Sequence, residues 1–358
     1  MNEAILALED GTVVRGIGLG KDGVSLGELV FTTTYTGYVE SLTDPSYRGQ
    51  NLMFTYPLIG NYGVDPDDFQ SDTIQAEAVV VSEGCENPSH RESEKNLEDF
   101  LVDHGKRGIA GVNTRALTRK IRTEGTVKSA LFVNEGSPEE AIKEARQQPH
   151  ITEKDLVSEV TSEDVTHVPG SGSRIGVIDT GAKNNIIENL RSRDFEIYVF
   201  PSEVEAAEIE SYEPKALMVP NGPGDPKNAT GPIETVQHFA SKIPIFGICF
   251  GTQIISLAFG ASTFKLKFGH RGANQPVSDP EANLVHITSQ NHGFAVEKES
   301  LEGTGLEVTQ TNANDGTVEA IQHKELEIYA VQYHPEACPG PKDTEQEFFD
   351  YIKGVLEG

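Results

Sequence analysis

Two positions in this chain combine the residue types and surroundings that nucleophilic catalysis requires, Cys249 and His334. Cys249 lies in Gly247-Ile-Cys249-Phe-Gly251, after an apolar run from Ile243 to Ile248 and before Gln253-Ile-Ile-Ser-Leu-Ala-Phe259. The pattern predicts a core strand, a tight turn and a helix, the nucleophile elbow with cysteine in place of serine. Glycines on both sides suit a turn where a Cβ would strike neighbouring backbone. The helix that follows puts its N-terminus near the sulfur, where negative charge is stabilised. A buried structural cysteine after a core strand explains this stretch equally well on its own.

A partner tips the balance. A thiolate nucleophile needs a group that shuttles protons and another that orients it. Tyr329-Ala-Val-Gln-Tyr-His334-Pro-Glu336 reads as a strand ending in a histidine. Pro335 biases His334 towards extended backbone, and in an extended segment residues 334 and 336 face one side. Glu336 is therefore expected to reach one ring nitrogen of His334.

Gly247-Ile-Cys-Phe-Gly-Thr-Gln253, Asn221-Gly-Pro-Gly-Asp225 and His334-Pro-Glu336 together resemble the class I glutamine amidotransferases, the type with a Cys-His-Glu triad. The resemblance implies hydrolysis of glutamine to glutamate and ammonia through a γ-glutamyl thioester. It makes Cys249 the nucleophile, His334 the base and Glu336 its orienting group, and sets aside His292, which stands in Ser289-Gln-Asn-His-Gly-Phe294. It further implies an oxyanion hole from the backbone N–H groups of Gly222 and Phe250. Ser46, Gly224, Gln253, Asn291, Gly293 and Phe294 are implied to hold the polar groups of glutamine. Thr252 stands where the family commonly has histidine.

Behind these residues the chain must supply two kinds of scaffold. With 358 residues it is long enough for two domains, each with its own core. From Arg174 onward strands alternate with helices: Ile175–Ile178, Lys183–Arg191, Glu196–Phe200, 202–211, Ala216–Val219, Ile233–Ser241, then the elbow. Such βαβα alternation predicts a parallel sheet with helices on both faces, and ligands beyond the carboxyl ends of its strands. Asn221-Gly-Pro-Gly224 and Cys249 both follow strand ends, which places them on that edge. After residue 261 strands dominate (Thr263–Phe268, Val285–Ser289, Val318–Gln322), and Thr344–Ile352 reads as a closing amphipathic helix.

Residues 1–80 are rich in strand and turn signals, beginning with Ala4–Leu8 and including a β-branched, aromatic Thr32-Thr-Thr-Tyr-Thr-Gly37 read as strand. Short helices are expected at Lys95–Val102 and Pro138–Arg146. Thr36-Gly-Tyr38, Thr43-Asp-Pro-Ser-Tyr47, Tyr56-Pro-Leu-Ile-Gly-Asn61 and the run from Gly111 to Gly125 resemble the N-terminal domain of carbamoyl-phosphate synthase small subunits. Asn113 occupies a position that is more often aspartate in that family. Arg115, Arg119 and Arg122 fall on one helical face of the same run. The polar, Gly/Ser-containing stretch near 155–172 reads as a linker.

The fold expected is α/β: a β-rich N-terminal domain, 1–160, then a class I glutamine amidotransferase (flavodoxin-like) domain, 173–358, with a central, mostly parallel sheet. The resemblance implies a glutaminase subunit that passes ammonia to a carbamoyl-phosphate synthase large subunit, which uses ATP and Mg with bicarbonate for arginine and pyrimidine synthesis. A glutaminase serving another synthetase, and a non-catalytic regulatory subunit, are the alternatives; residues 1–155 speak against the first and the intact triad against the second.

Composition narrows the setting. A net charge of −27 disfavours nucleic acid and anionic membranes as partners. Three cysteines do not make a disulfide framework, and a reducing cytoplasm is expected. No leader is evident at the N-terminus, and the most apolar stretch, 243–261, is interrupted by three glycines, which suits a core element and not a membrane span. The ten histidines show no metal-ligand spacing and no glycine loop for phosphate is present, so neither a metal nor ATP is expected on this chain.

Overall fold

The computed structural model describes residues 2–357 and divides into two compact units, Met1–Lys154 and Asp155–Gly358. In the first unit seven strands close into a barrel, in the order Glu3–Leu8, Val13–Gly20, Arg107–Ala110, Ala78–Val80, Gln50–Phe54, Gly23–Thr32 and Val127–Val133. Apolar side chains such as Val30, Leu52, Phe54 and Val79 bury together with Tyr38, Leu42 and Phe100 in one cluster. Closure leaves the barrel without an edge for stray strands to pair with.

The strand expected through Gly37 stops at Thr32; a short helix, Tyr38–Thr43, follows instead. That helix has no side-chain cap of its own, and its start is satisfied from a distance: the N–H groups of Gly37 and Tyr38 both donate to the Tyr62 hydroxyl, at 2.7 and 3.0 Å. Tyr38 and Tyr62 stack with ring centres 4.2 Å apart. Then Asp44 accepts the Ser46 N–H at 2.9 Å and opens the turn Pro45–Tyr47, which holds Ser46 buried. Helix Thr114–Glu124 is capped by Asn113, whose Oδ1 accepts from Ala116 N–H at 3.0 Å. Asparagine is among the side chains that cap a helix start best.

The second unit is built on a ten-stranded sheet. Five neighbouring strands, Glu196–Pro201, Arg174–Asp179, Ala216–Val219, Ile245–Ile248 and Ile328–Val331, run parallel. Numbered along the chain, their order is 2-1-3-4-5, the flavodoxin-like arrangement. Antiparallel strands extend it: Val318–His323, Leu306–Asn312, Thr263–Asp279 and Leu284–Val296 on one side, Thr166–Val168 on the other. Helices Thr230–Phe239 and Phe250–Ala258 bury Val236, Phe239, Ile254 and Ile255 on one face of the sheet. Helices Asn184–Arg191 and Glu345–Glu357 bury Ile186, Leu190, Phe348, Phe349 and Ile352 on the other.

Two local expectations are revised, and one strand is added. The helix read over 202–211 forms only at Ala206–Ser211, because a turn from Pro201 to Val204 comes first. Leu306–Asn312 is a strand that the sequence reading passed over. The stretch read as a linker packs against the second unit: Val157 enters its core and Thr166–Val168 pairs with Glu196–Pro201. Gly170 is required there because a Cβ would stand 2.1 Å from the Phe195 carbonyl oxygen.

Candidate active site

Cys249 follows the Ile245–Ile248 strand and caps helix Phe250–Ala258. Its backbone takes φ 55° and ψ −99°, a left-handed conformation that L-residues avoid. The turn is held by the Cys249 N–H, which donates to the Val331 carbonyl at 2.8 Å. Its flanking glycines are dictated by packing. A Cβ on Gly251 would come within 1.9 Å of the Val219 carbonyl oxygen, and one on Gly247 within 2.8 Å of the Ala330 Cβ. Helix and strand can therefore approach closely enough to present the sulfur at the sheet edge. The thiol itself is buried and points at the Asn291 carbonyl, 3.7 Å away. Thr252 donates to the Val331 carbonyl at 2.7 Å, which satisfies its buried hydroxyl within the turn.

His334 is fixed through its backbone, whose N–H donates to the Ser289 carbonyl at 2.8 Å in an isolated bridge. Its Nδ1 lies 2.7 Å from Glu336 Oε1. The chain does not stay extended to make this contact. The Ala337 N–H closes a turn onto the His334 carbonyl at 3.1 Å, and the carboxylate folds back onto the ring. The expected pairing forms by a different backbone route. Both groups are almost wholly out of water. Burial alone would strip His334 of its proton, but the Glu336 carboxylate and then the neighbouring Cys249 outweigh it, and the imidazolium is favoured up to about 10.

Lys183, which the sequence reading treated only as the start of a helix, completes this arrangement. Its ammonium lies 3.0 Å from Glu336 Oε1 and donates to the Ala337 carbonyl at 2.7 Å. Its own N–H is held by Asn221 Oδ1 at 3.0 Å. Burial would raise Glu336, yet Lys183 and then His334 hold its carboxyl down to about 2. The acid is thus a fixed anion, able to keep Nδ1–H pointed at itself and Nε2 turned towards the sulfur. No local spacing announces Lys183, 153 positions before Glu336 in the chain. Its only signal is its place just past the carboxyl end of the Arg174–Asp179 strand.

The remaining candidates in the second unit gather around the elbow. A Cβ on Gly222 would sit 2.5 Å from the Thr180 carbonyl and 3.0 Å from Phe250 Cδ1, so the Asn221–Gly224 loop lies against the first residue of the elbow helix. The Phe250 N–H is among the donors that a helix start leaves unpaired within the helix. Gly224 adopts φ +83°, open to glycine alone without strain. Gln253 Nε2 donates to the Phe294 carbonyl at 2.8 Å, which ties the elbow helix to strand Leu284–Val296. Asn291 and Gly293 lie on that strand, beside Cys249 through the Asn291 carbonyl. His292 turns elsewhere: it is buried, its Nδ1 is 2.8 Å from the Phe294 carbonyl, and burial pushes it well below the ordinary histidine range. Ser46 belongs to the first unit, where Gln50 Nε2 donates to its carbonyl at 3.2 Å.

Comparisons with known proteins bear on both units. A family model described as "Glutamine amidotransferase class-I" matches residues 176–353. A second, "Carbamoyl-phosphate synthase small chain, CPSase domain", matches residues 6–131. A protein of Methanosarcina acetivorans named carbamoyl phosphate synthase small chain is 53% identical, covering 99% of each chain. Proteins with the same name from Methanopyrus kandleri and Clostridium acetobutylicum are 48% and 45% identical, covering 98% of this chain in each case and 98% and 99% of their own. With relatives this similar over nearly the full length, the chain belongs to the carbamoyl phosphate synthase small chain family.

Proposed function

We propose that the chain hydrolyses glutamine at Cys249 and supplies the ammonia to a carbamoyl-phosphate synthase large subunit. The observation that carries this reading is a cysteine at a strained elbow beside a histidine whose far nitrogen is fixed by a buried, lysine-paired carboxylate. The thiol gives its proton to His334, and the thiolate of the resulting ion pair attacks the side-chain amide carbon of glutamine. The site favours the imidazolium that this creates, so the transfer is assisted by charge already in place. The developing oxyanion is met by the Gly222 and Phe250 N–H groups. His334 then gives its proton to the departing nitrogen, releasing ammonia and leaving a γ-glutamyl thioester. Water, activated by His334, cleaves the thioester to glutamate.

Gly224, Gln253, Asn291, Gly293 and Phe294 hold the polar groups of glutamine. ATP and Mg act on the large subunit, where ammonia and bicarbonate become carbamoyl phosphate for arginine and pyrimidine synthesis in the cytoplasm. The test is glutamine hydrolysis by the full chain, alone and with the large subunit of the same organism, with and without ATP and bicarbonate. Hydrolysis that rises in the complete mixture, with carbamoyl phosphate formed, is the expected result. Full activity indifferent to that partner would assign the ammonia to a different acceptor, and no hydrolysis under any condition would overturn the reading.

A further inference from the structure

Away from Cys249, the antiparallel part of the sheet buries a second set of titratable groups that the hydrolytic chemistry does not use. His270 on Thr263–Asp279, His292 on Leu284–Val296 and Glu319 on Val318–His323 meet in the interior. Their relative exposures are 8, 5 and 0%. One nitrogen of each ring and one carboxylate oxygen lie within 4.8 Å of one another. The rings stand edge to face at 4.9 Å, and His270 Nδ1 is 3.8 Å from Glu319 Oε1.

The protons of both imidazoles are committed away from the meeting point. His270 Nε2 donates to Asp315 Oδ2 at 2.8 Å, and His292 Nδ1 donates to the Phe294 carbonyl at 2.8 Å. An imidazole that donates from one nitrogen presents its other nitrogen as the acceptor in the form that binds metals. His270 Nδ1 and Glu319 Oε2 have no hydrogen-bond partner among the described residues. His292 Nε2 faces the Gln290 amide oxygen at 3.3 Å, two acceptors opposed. Asn312 Nδ2 donates to Glu319 Oε1 at 2.8 Å, but Oε2 and the inward ring nitrogens keep lone pairs that a shared cation would take up.

We propose that His270, His292 and Glu319 bind one divalent cation of the zinc class, with the Gln290 amide oxygen placed as a fourth donor. Imidazole and carboxylate oxygen are the ligands such ions take, and a tetrahedral site with ordinary bond lengths sets its ligand atoms ~3.4 Å apart. The 3.8 Å between His270 Nδ1 and Glu319 Oε1 is too long for a hydrogen bond and close to that edge. Asp315 behind His270 and the Phe294 carbonyl behind His292 are the outer acceptors that fix a metal-binding tautomer. The ion would link three strands, and His292 sits between Asn291 and Gly293 on the strand assigned to glutamine. The proposal does not depend on that assignment.

The experiment is a Co2+ titration of the full chain, freed of metal with chelator, in a Cys249→Ala background so that no thiolate competes. One equivalent bound, with the strong visible absorption of four-coordinate cobalt and no sulfur-to-metal band, is expected. Glu319→Gln and His270→Gln should each weaken binding at least 100-fold, and Asp315→Asn by about 10–100-fold. Circular dichroism checks each variant for folding, and X-ray absorption of the unsubstituted site must show imidazole scattering even if the variants fail to fold. A folded chain that binds neither Co2+ nor Zn2+ stoichiometrically would sink the proposal, leaving a proton on Glu319 as the occupant. Binding unchanged in folded Glu319→Gln and His270→Gln would sink it equally.

Discussion

Glu336 and Glu319 are both fully buried in the same unit, and each leaves its Oε2 without a hydrogen-bond partner among the described residues. They end in opposite states. Glu336 is held down to about 2, whereas burial drives Glu319 up to about 8, with hydrogen bonds from Asn312 and Gln290 opposing it only in part. The difference is a fixed cation. Lys183 stands 3.0 Å from Glu336, and nothing equivalent among the described residues faces Glu319. Burial does not decide whether a carboxyl carries charge; the positive group placed beside it does.

Substitutions around the two acids should separate accordingly. The largest effect is expected at Cys249, where replacement by serine should cut glutamine hydrolysis by roughly 10⁴–10⁶-fold, measured as glutamate release, with the fold retained. Residual turnover within tenfold of the unsubstituted chain would detach the Glu336 region from chemistry. Lys183→Ala comes next. It strands a buried anion and should cost about 3–5 kcal/mol of stability in a denaturant titration, with a matching collapse in kcat. A neutral outcome would show that Glu336 keeps its charge without lysine, which would undo the comparison. Gly222→Ala drives a methyl into the Thr180 carbonyl and should lower kcat by about 10²–10³-fold if its N–H meets the oxyanion. A change in KM alone would move Gly222 from oxyanion to substrate binding.

The smallest effect sharpens the contrast most. Glu319 has a folded value above its ordinary 4.5, so the stability tied to its neutral form is complete below that range and is lost as pH rises towards 8. Glu336 behaves oppositely, contributing above 4.5 and losing its contribution as pH falls towards 2. His334, raised above 6.5 to about 10, also sheds stability on the alkaline side. Denaturation midpoints between pH 5 and pH 8, on the order of the two ordinary and raised values, should therefore decline in the unsubstituted chain under chelator and decline less in Glu319→Gln. Parallel profiles for the two proteins would mean that Glu319 is already charged at the lower pH.

What was legible in the sequence follows how far apart the determinants lie. Cys249 announced itself because strand, glycines and helix are contiguous, and His334 and Glu336 because only Pro335 separates them. The parallel sheet was readable from alternating apolar runs. Lys183 was not, since only the folded sheet brings its strand end beside the His334–Glu336 turn. The His270, His292 and Glu319 cluster was invisible for the same reason, with one residue drawn from each of three strands. Helix Tyr38–Thr43 was missed because the Tyr62 hydroxyl, not a local cap, satisfies its start. The Gly/Ser run near 170 misled because those glycines serve close contact and not flexibility.

The φ of 55° at Cys249 has an evolutionary consequence. Any residue other than glycine there carries a penalty of about 1–3 kcal/mol, and glycine alone escapes it. A lineage that kept this fold only as a regulatory or architectural piece would gain stability by drifting to glycine at that one codon. Retaining a side chain at position 249 is a running cost that only a working nucleophile justifies. The stability difference between Cys249→Gly and Cys249→Ala thus measures how strongly selection must act to keep the elbow armed.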